Sequence, residues 1–347
     1  MRRTGIVTAV TLGAALALVA PGIAYANTMS SVTVETPGAT SWSAPGNGLK
    51  LSTDADCANS DIVSGGGMNV TGSGGGVMET TPSNNGSSES GNSATSPVHW
   101  LGISGTGNNG GGTFTVQPFA LCFNSSTITG TQVVVNSASG PTGTTLPSAM
   151  ESVTATCPAN TLLLGGGGES TLASNKSVKL IAGYPSYSSS GLAAADGDTN
   201  PDSWTAVALN GGMSGTGNTT YAYAICGNST TPTVTVRHSS ASGPTSGTKT
   251  VTTGAACGSG QNLIGGGASV SGGDPTASSF AAPGNQGDHL NGDYPSDSSG
   301  TLAPTGPPRR RTGQPSPPRE EWAARETKLT CGGCASSRLA YHRLLIC

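Results

Sequence analysis

Cysteine is the residue type whose spacing in this sequence most clearly indicates chemistry. Cys57, Cys157 and Cys257 are each 100 residues apart, and Cys122 and Cys226 follow the first two at similar distances. Paired cysteines form disulfides in oxidising compartments, whereas inside cells they more often bind metals or act in redox chemistry. If the chain is exported, pairing within each repeat predicts the disulfides Cys57–Cys122 and Cys157–Cys226. The sequence leaves the partner of Cys257 open.

The N-terminus predicts export. Arg2 and Arg3 precede an apolar stretch from Ile6 to Ala20, and Ala24-Tyr25-Ala26 has the small-residue pattern of a signal-peptide cleavage site. An uncleaved membrane anchor is the alternative, but the apolar run is short for one. We expect a signal peptide over residues 1–26. The mature protein is then secreted and extracellular, with no transmembrane segment after signal cleavage.

A second cysteine pattern lies near the C-terminus, where Cys331, Cys334, His342 and Cys347 have the spacing C-x2-C-x7-H-x4-C. Four such ligands could hold zinc tetrahedrally. The spacing does not fit a zinc knuckle, and export favours disulfides. We therefore predict no metal and no cofactor, and one of these cysteines is a candidate partner for Cys257.

The elements that position these cysteines recur along the chain. A glycine triplet begins eight residues after each of the first cysteines, at Gly65, Gly165 and Gly265. Trp100 and Trp204 each lie 22 residues before the second cysteine of their repeat. A period near 100 residues is too long for a solenoid and indicates tandem small domains.

The local pattern of each repeat predicts β structure. Short alternating runs such as Trp204–Leu209 and Thr233–Arg237 are separated by turn residues, and no amphipathic helix is indicated before residue 318. With 54 glycines and 4% aromatic residues, a module of about 90 residues buries a modest core. A disulfide could stabilise each module by about 4 kcal/mol. The predicted fold is all-β, with tandem small antiparallel β-sandwich-like modules, long Gly/Ser-rich loops such as Gly72 to Pro97, and an irregular tail.

The composition changes abruptly at Pro307, because seven of the ten arginines lie in the last 41 residues. We interpret the tail as sequence that does not belong to a module, with a reading-frame shift as the leading explanation. The predicted organisation is a signal peptide (1–26), a Ser/Thr-rich lead (27–46), β module 1 (47–136), a linker (137–147), β module 2 (148–238), a linker (239–248), an incomplete β module 3 (249–306) and an Arg/Pro-rich tail (307–347).

Module 2 shows the repeat most clearly. It begins Cys-Pro-x-x-Thr-Leu-Leu-Leu-Gly-Gly-Gly from Cys157 to Gly167, continues with Trp204-Thr-Ala-Val-Ala and ends with Tyr-Ala-Tyr-Ala-Ile-Cys at Cys226. This pattern resembles uncharacterised secreted repeat proteins of actinobacteria. The resemblance covers about residues 47–306, and it implies secretion and β structure but no known activity.

Three aromatic residues are candidate ligand contacts. The ring of Trp204 could stack on a sugar, but its fixed distance from Cys226 favours packing beside a disulfide. Tyr221 and Tyr223 share one face of a predicted strand. We therefore expect them to form an exposed aromatic pair that contacts a ligand.

The sequence gives little support to catalysis or nucleic-acid binding. The four histidines do not recur at equivalent module positions, and no Gly-x-Ser-x-Gly motif is present. The net charge is −3, and the modules offer no basic surface for nucleic acid. We therefore expect a non-enzyme without catalytic residues that acts in surface contact or binding, with cell-wall or extracellular polysaccharide or protein as partner. The alternative is an exported carbohydrate-binding accessory or hydrolase.

Overall fold

The computed structural model describes residues 29–44, 50–106 except 59 and 73–74, 112–171, 178–211, 217–229, 233–243, 251–283 except 252, 287–296, 302–305, 329–330 and 340–347. The predicted signal peptide, Cys331 and Cys334 lie outside the described residues, as does most of the tail. The described residues contain strands and no helix, so the all-β prediction is confirmed. Within these ranges, therefore, no helix is long and apolar enough to cross a membrane.

The strands follow the three modules in order. Those of the lead and module 1 are β1 (Met29–Glu35), β2 (Thr40–Ala44), β3 (Lys50–Asp56), β4 (Ile62–Gly72), β5 (Gly75–Ser83), β6 (His99–Thr106), β7 (Gly112–Ser125) and β8 (Ile128–Ser139). Those of module 2 are β9 (Met150–Thr156), β10 (Thr161–Ser170), β11 (Val178–Ser186), β12 (Ser203–Asn210), β13 (Thr219–Ser229) and β14 (Val236–Ser242). Those of module 3 and the tail are β15 (Gly265–Ser271), β16 (His289–Leu290), β17 (Gly292–Asp293), β18 (Leu329–Thr330) and β19 (Ala340–Ile346).

Three antiparallel sheets are each built from strands of more than one module. Sheet A has the order β1-β7-β4-β17, with β2 also paired to β7. Sheet B has the order β3-β6-β5-β10-β13-β8, and sheet C has the order β14-β19-β15-β11-β12-β9. The modules are therefore units of sequence whose strands interlock in space.

The interlocking is cyclic. Strand β5 of module 1 pairs with β10 of module 2, β11 of module 2 pairs with β15 of module 3, and β17 of module 3 returns to β4 of module 1. The strands β4, β10 and β15 carry the three glycine triplets and occupy equivalent places in the three sheets. The chain thus has an approximate threefold arrangement.

The first glycine of each triplet lies where the three sheets meet. An ideal Cβ on Gly65 would lie 2.9 Å from the Cα of Gly265, and one on Gly265 would lie 2.9 Å from the Cα of Gly165. The contact between Gly165 and Gly65 closes the cycle. A side chain does not fit here, which explains why glycine recurs at this position.

The second and third glycines meet other neighbours. A Cβ on Gly66 or Gly166 would overlap the indole ring of Trp100 or Trp204, respectively. A Cβ on Gly167 would overlap the carbonyl oxygen of Thr80 in the adjoining module. The second glycine of the triplet therefore leaves room for an indole ring, and the third leaves room for a strand of the adjoining module.

Both expected disulfides, Cys57–Cys122 and Cys157–Cys226, are present, and a third joins Cys257 to Cys347. Cys347 directly follows β19, which pairs with β15 as β7 pairs with β4 and as β13 pairs with β10. The end of the tail thus supplies the strand and the second cysteine that module 3 otherwise lacks.

Two stretches differ from their expected structure. The end of the tail, which was expected to lie outside the modules, forms β19 and completes module 3. Residues 72–97 were expected to form a loop, but they contain β5, which joins module 1 to module 2. Valine and threonine within Gly75–Ser83 supply the β propensity that the surrounding glycine and serine masked.

Candidate functional site

A group of three carboxylates lies at the seam between modules 1 and 2. Glu79 on β5 is directly opposite Glu169 on β10, and Glu89 comes from the segment of residues 84–98 that connects β5 to β6. One carboxylate oxygen from each residue lies within 4.8 Å of the others. We call Glu79, Glu89 and Glu169 the seam carboxylates.

The equivalent pairs in the other two sheets are uncharged. Ser269 is opposite Ala182 at one seam, and Asn69 is opposite Gly292 at the other. Like charges placed opposite each other weaken a sheet. The carboxylate pair is therefore an addition to the repeat that the fold does not require.

Hydroxyl groups hold the carboxylates in place. The Oγ1 of Thr81 donates to Glu79 Oε1 at 3.0 Å, and the hydroxyl of Tyr223 donates to Glu169 Oε2 at 3.0 Å. Glu79 is 2% exposed and Glu169 is 7% exposed. Burial raises the pKa of Tyr223, and the charge of Glu169 raises it further, so this hydroxyl remains a donor at neutral pH.

The segment of residues 84–98 crosses this face of sheet B. It leaves β5 and reaches β8, on the far side of β10 and β13, where Ser93 N donates to Val133 O at 2.8 Å. Asn92 Oδ1 accepts from Val135 N at 3.0 Å. The segment thereby brings Glu89 to the other two carboxylates.

The two candidate tyrosines share a face of β13, with ring centroids 6.4 Å apart, but they are not an exposed pair. Tyr223 is only 2% exposed because its hydroxyl turns towards Glu169 and the crossing segment lies above. Tyr221 is partly exposed and stands opposite Glu169 in the β10–β13 pairing. Accessible aromatic surface is therefore found at Tyr221.

Trp204 is buried at 2% exposure, with its ring over Gly166. Its indole lines a cavity of about 20 Å³ with Trp100, Leu180 and Leu290, which has room for about one water molecule. The observed role of this ring is packing near the centre of the protein. Trp204 remains a ligand contact only as a prediction.

A second polar group lies in module 1, where Asp56, His99 and Ser83 follow one another across β3, β6 and β5. These are the residue types of a catalytic triad. The Oγ of Ser83, however, is buried and donates to the carbonyl oxygen of Ser88. The Nδ1 of His99 contacts Asp56 and lies 3.2 Å from Oδ2 of Asp54. The serine is therefore engaged with its own turn, which is not the arrangement of a nucleophile and its base.

Sequence reasoning did not single out the seam carboxylates. A signal was present, because Glu169 lies four residues after the first glycine of its triplet, where module 3 has Ser269. Recognising it required the cross-module pairing of β5 with β10.

No protein-family model matches this chain, and a search of curated protein sequences finds no match. The resemblance to actinobacterial secreted repeat proteins therefore stays a prediction from the module pattern.

Proposed function

We propose that this chain is an exported, non-catalytic binding protein and that Tyr221 contacts its ligand. The observation that carries the proposal is the partly exposed ring of Tyr221 opposite Glu169, next to carboxylates from two modules. Of these carboxylates Glu89 is exposed, and an aromatic face beside such an acceptor suits a ligand with apolar ring faces and many hydroxyl groups. Among the partner classes expected for an exported chain, this chemistry favours polysaccharide over protein.

The scaffold supports this role. Three disulfides and three shared sheets hold the module 1 and module 2 faces in one fixed arrangement. A site whose groups are already placed loses less conformational entropy on binding. An extracellular location fits the disulfides and the predicted signal peptide.

A hydrolase is the second candidate, because Glu79 and Glu169 are close enough to suggest a carboxylate pair. Retaining glycosidases place such groups about 5–5.5 Å apart. Both carboxylates are buried, at 2% and 7% exposure, and neither lines the two cavities of about 20 and 10 Å³. Burial keeps a sugar ring away from both groups, which favours binding without catalysis.

The test uses the full mature chain, because an isolated module 2 would lose its partners in sheets B and C. Retention on insoluble cell-wall polysaccharide and on a glycan array is measured for the wild type, for Tyr221→Ala and for Tyr187→Ala. Tyr187 is a second partly exposed tyrosine, outside this face, and serves as the matched control. We expect Tyr221→Ala to reduce retention at least about tenfold, or about 1.4 kcal/mol, and the control to bind like the wild type.

Absence of polysaccharide binding by the folded wild type would remove the saccharide proposal. Equal retention of the wild type and Tyr221→Ala would remove Tyr221 from the site. Release of reducing sugar by the wild type and not by Glu79→Gln would favour the hydrolase.

A further inference from the structure

The second polar group of module 1 has ligand chemistry of its own. Asp54 and Asp56 on β3 and His99 on β6 place one donor atom each within 4.8 Å of the others. The Nδ1 of His99 is 3.2 Å from Asp54 Oδ2 and is in contact with Asp56 Oδ1. An imidazole nitrogen and two carboxylate oxygens thus converge on one point.

Module 2 shows that the fold does not need these residue types. By the register of the repeat, Thr154, Thr156 and Ser203 stand at the corresponding positions, with Ser203 opposite Thr156 as His99 is opposite Asp56. The Oγ of Ser203 donates to Thr156 Oγ1 at 3.0 Å. Hydroxyl groups therefore occupy these three positions in module 2, where the Oγ of Ser203 also donates to Asp202 Oδ1 at 2.8 Å.

Asp54 and Asp56 both lie against the imidazole of His99. In the described part of the chain, the ion pairs of Asp54 and Asp56 are both with His99. Two carboxylates share one imidazole, so a divalent cation would relieve their repulsion.

The surroundings leave the group open on one side. Gly86 has φ +70°, and a Cβ there would overlap Asp54 Oδ2, so the backbone of the crossing segment lies against the cluster. Strand β3 is the edge strand of sheet B. The side chains of His99 and Asp56 are 22% and 67% exposed, so an ion can enter from the edge.

We propose that Asp54, Asp56 and His99 bind one divalent transition-metal ion of the zinc class, through Nδ1 of His99 and one oxygen of each aspartate. Zinc binds histidine nitrogen and carboxylate oxygen at about 2.0–2.2 Å and commonly leaves a fourth position for water or another ligand. Metal binding requires rotation of these side chains, because the Nδ1 of His99 now contacts both aspartates directly. The imidazole ligand favours zinc, nickel or copper over calcium and magnesium.

The test measures binding of Zn²⁺ by calorimetry and binding of Co²⁺ by visible absorption, both with the full mature chain. Cys331→Ser and Cys334→Ser are present in every variant so that their thiols do not bind metal. We expect one ion per chain. Combined Asp54→Thr, Asp56→Thr and His99→Ser substitutions install the module 2 residues and should weaken binding at least about tenfold, because even outer-shell changes commonly cost that much.

Glu151→Gln, which alters a partly exposed carboxylate of β9 in sheet C, should leave the affinity unchanged. Asp56→Asn provides a second variant that retains the size and shape of the side chain. The proposal is overturned if the folded wild type binds neither ion at millimolar concentration, or if the combined variant and Asp56→Asn bind as tightly as the wild type. Because Tyr221→Ala should bind metal normally, this result is independent of the proposed polysaccharide site.

Discussion

Gly165 packs against Gly65 at the centre of the protein, where an ideal Cβ on Gly165 would lie 3.1 Å from the Cα of Gly65. The two residues are equivalent in modules 1 and 2, and each also approaches Gly265 of module 3. Because backbone from three modules meets here, the modules are expected to unfold together.

The second glycine of each triplet gives a graded test of this packing. Gly166→Ala would drive a methyl group into the ring of Trp204, whereas Gly266→Ala meets Leu345 Cδ2 at 3.3 Å, the far end of a flexible side chain. Overpacking typically costs about 1–3 kcal/mol. We expect Gly166→Ala to lower the free energy of unfolding by at least that much and Gly266→Ala by less. Urea denaturation checks the order, and equal losses would contradict the proposed packing.

The two tryptophans differ in their hydrogen bonds, which suggests a stabilising substitution. Trp100 Nε1 donates to Thr80 Oγ1 at 2.8 Å, while the buried Trp204 Nε1 has no hydrogen-bond partner in the described structure. Gly183 stands where module 1 has Thr80, and its ideal Cβ would lie 3.5 Å from Trp204 Nε1. We expect Gly183→Ser to raise the free energy of unfolding by about 1 kcal/mol relative to Gly183→Ala. Thermal unfolding of both variants measures the difference; a serine variant no more stable than the alanine variant would exclude the new hydrogen bond.

The disulfide of module 2 should stabilise the whole protein. Combined Cys157→Ala and Cys226→Ala substitutions should lower the free energy of unfolding by about 2–5 kcal/mol. Because β10 and β11 pair with strands of modules 1 and 3, the loss should appear as one shifted cooperative transition. Calorimetry combined with hydrogen exchange checks this. Protection unchanged in sheet A would argue against shared stability.

The buried Lys179 should make the free energy of unfolding depend on pH in the alkaline range. Its Nζ lies beside Gly76 and the ring of His289, and burial lowers the pKa of Lys179 from 10.5 to about 8. Between pH 8 and 10.5 the unfolded chain therefore holds more protons than the folded chain, so this group makes stability rise with pH across that window. Below pH 8 its full destabilising effect is present.

Lys179→Met removes the charge and keeps an unbranched stem. We expect this variant to be more stable than the wild type at pH 7, with a difference that shrinks towards pH 10. Lys179→Arg retains the charge and should show no such gain. Urea midpoints from pH 7 to 10 give the comparison, and a pH-independent difference for the methionine variant would contradict the lowered pKa.

The repeat explains how much could be predicted. The spacing of Cys57 and Cys122 and of Cys157 and Cys226 sufficed for two disulfides, because export and a fixed period limited the pairing. The period-two pattern sufficed for β structure. The partner of Cys257 was narrowed only to the C-terminal cysteines, because the arginine-rich tail hid the short strand β19 that precedes Cys347.

The candidate site was predicted only in part. Tyr221 and Tyr223 do share a face, as strand alternation requires, but burial of Tyr223 depends on Glu169 and on a segment that crosses from β5 to β8. Two of the seam carboxylates, Glu79 and Glu169, are 90 residues apart in sequence. No local pattern brings such residues together.

The sequence by itself determined the β class, the module period and the disulfide spacing, because these depend on local alternation and on residues that recur at fixed distances. Only the tertiary structure decided that the modules share their sheets. A glycine triplet permits close approach of backbone from any direction, and the identity of the neighbouring strand is chosen by packing among all three modules.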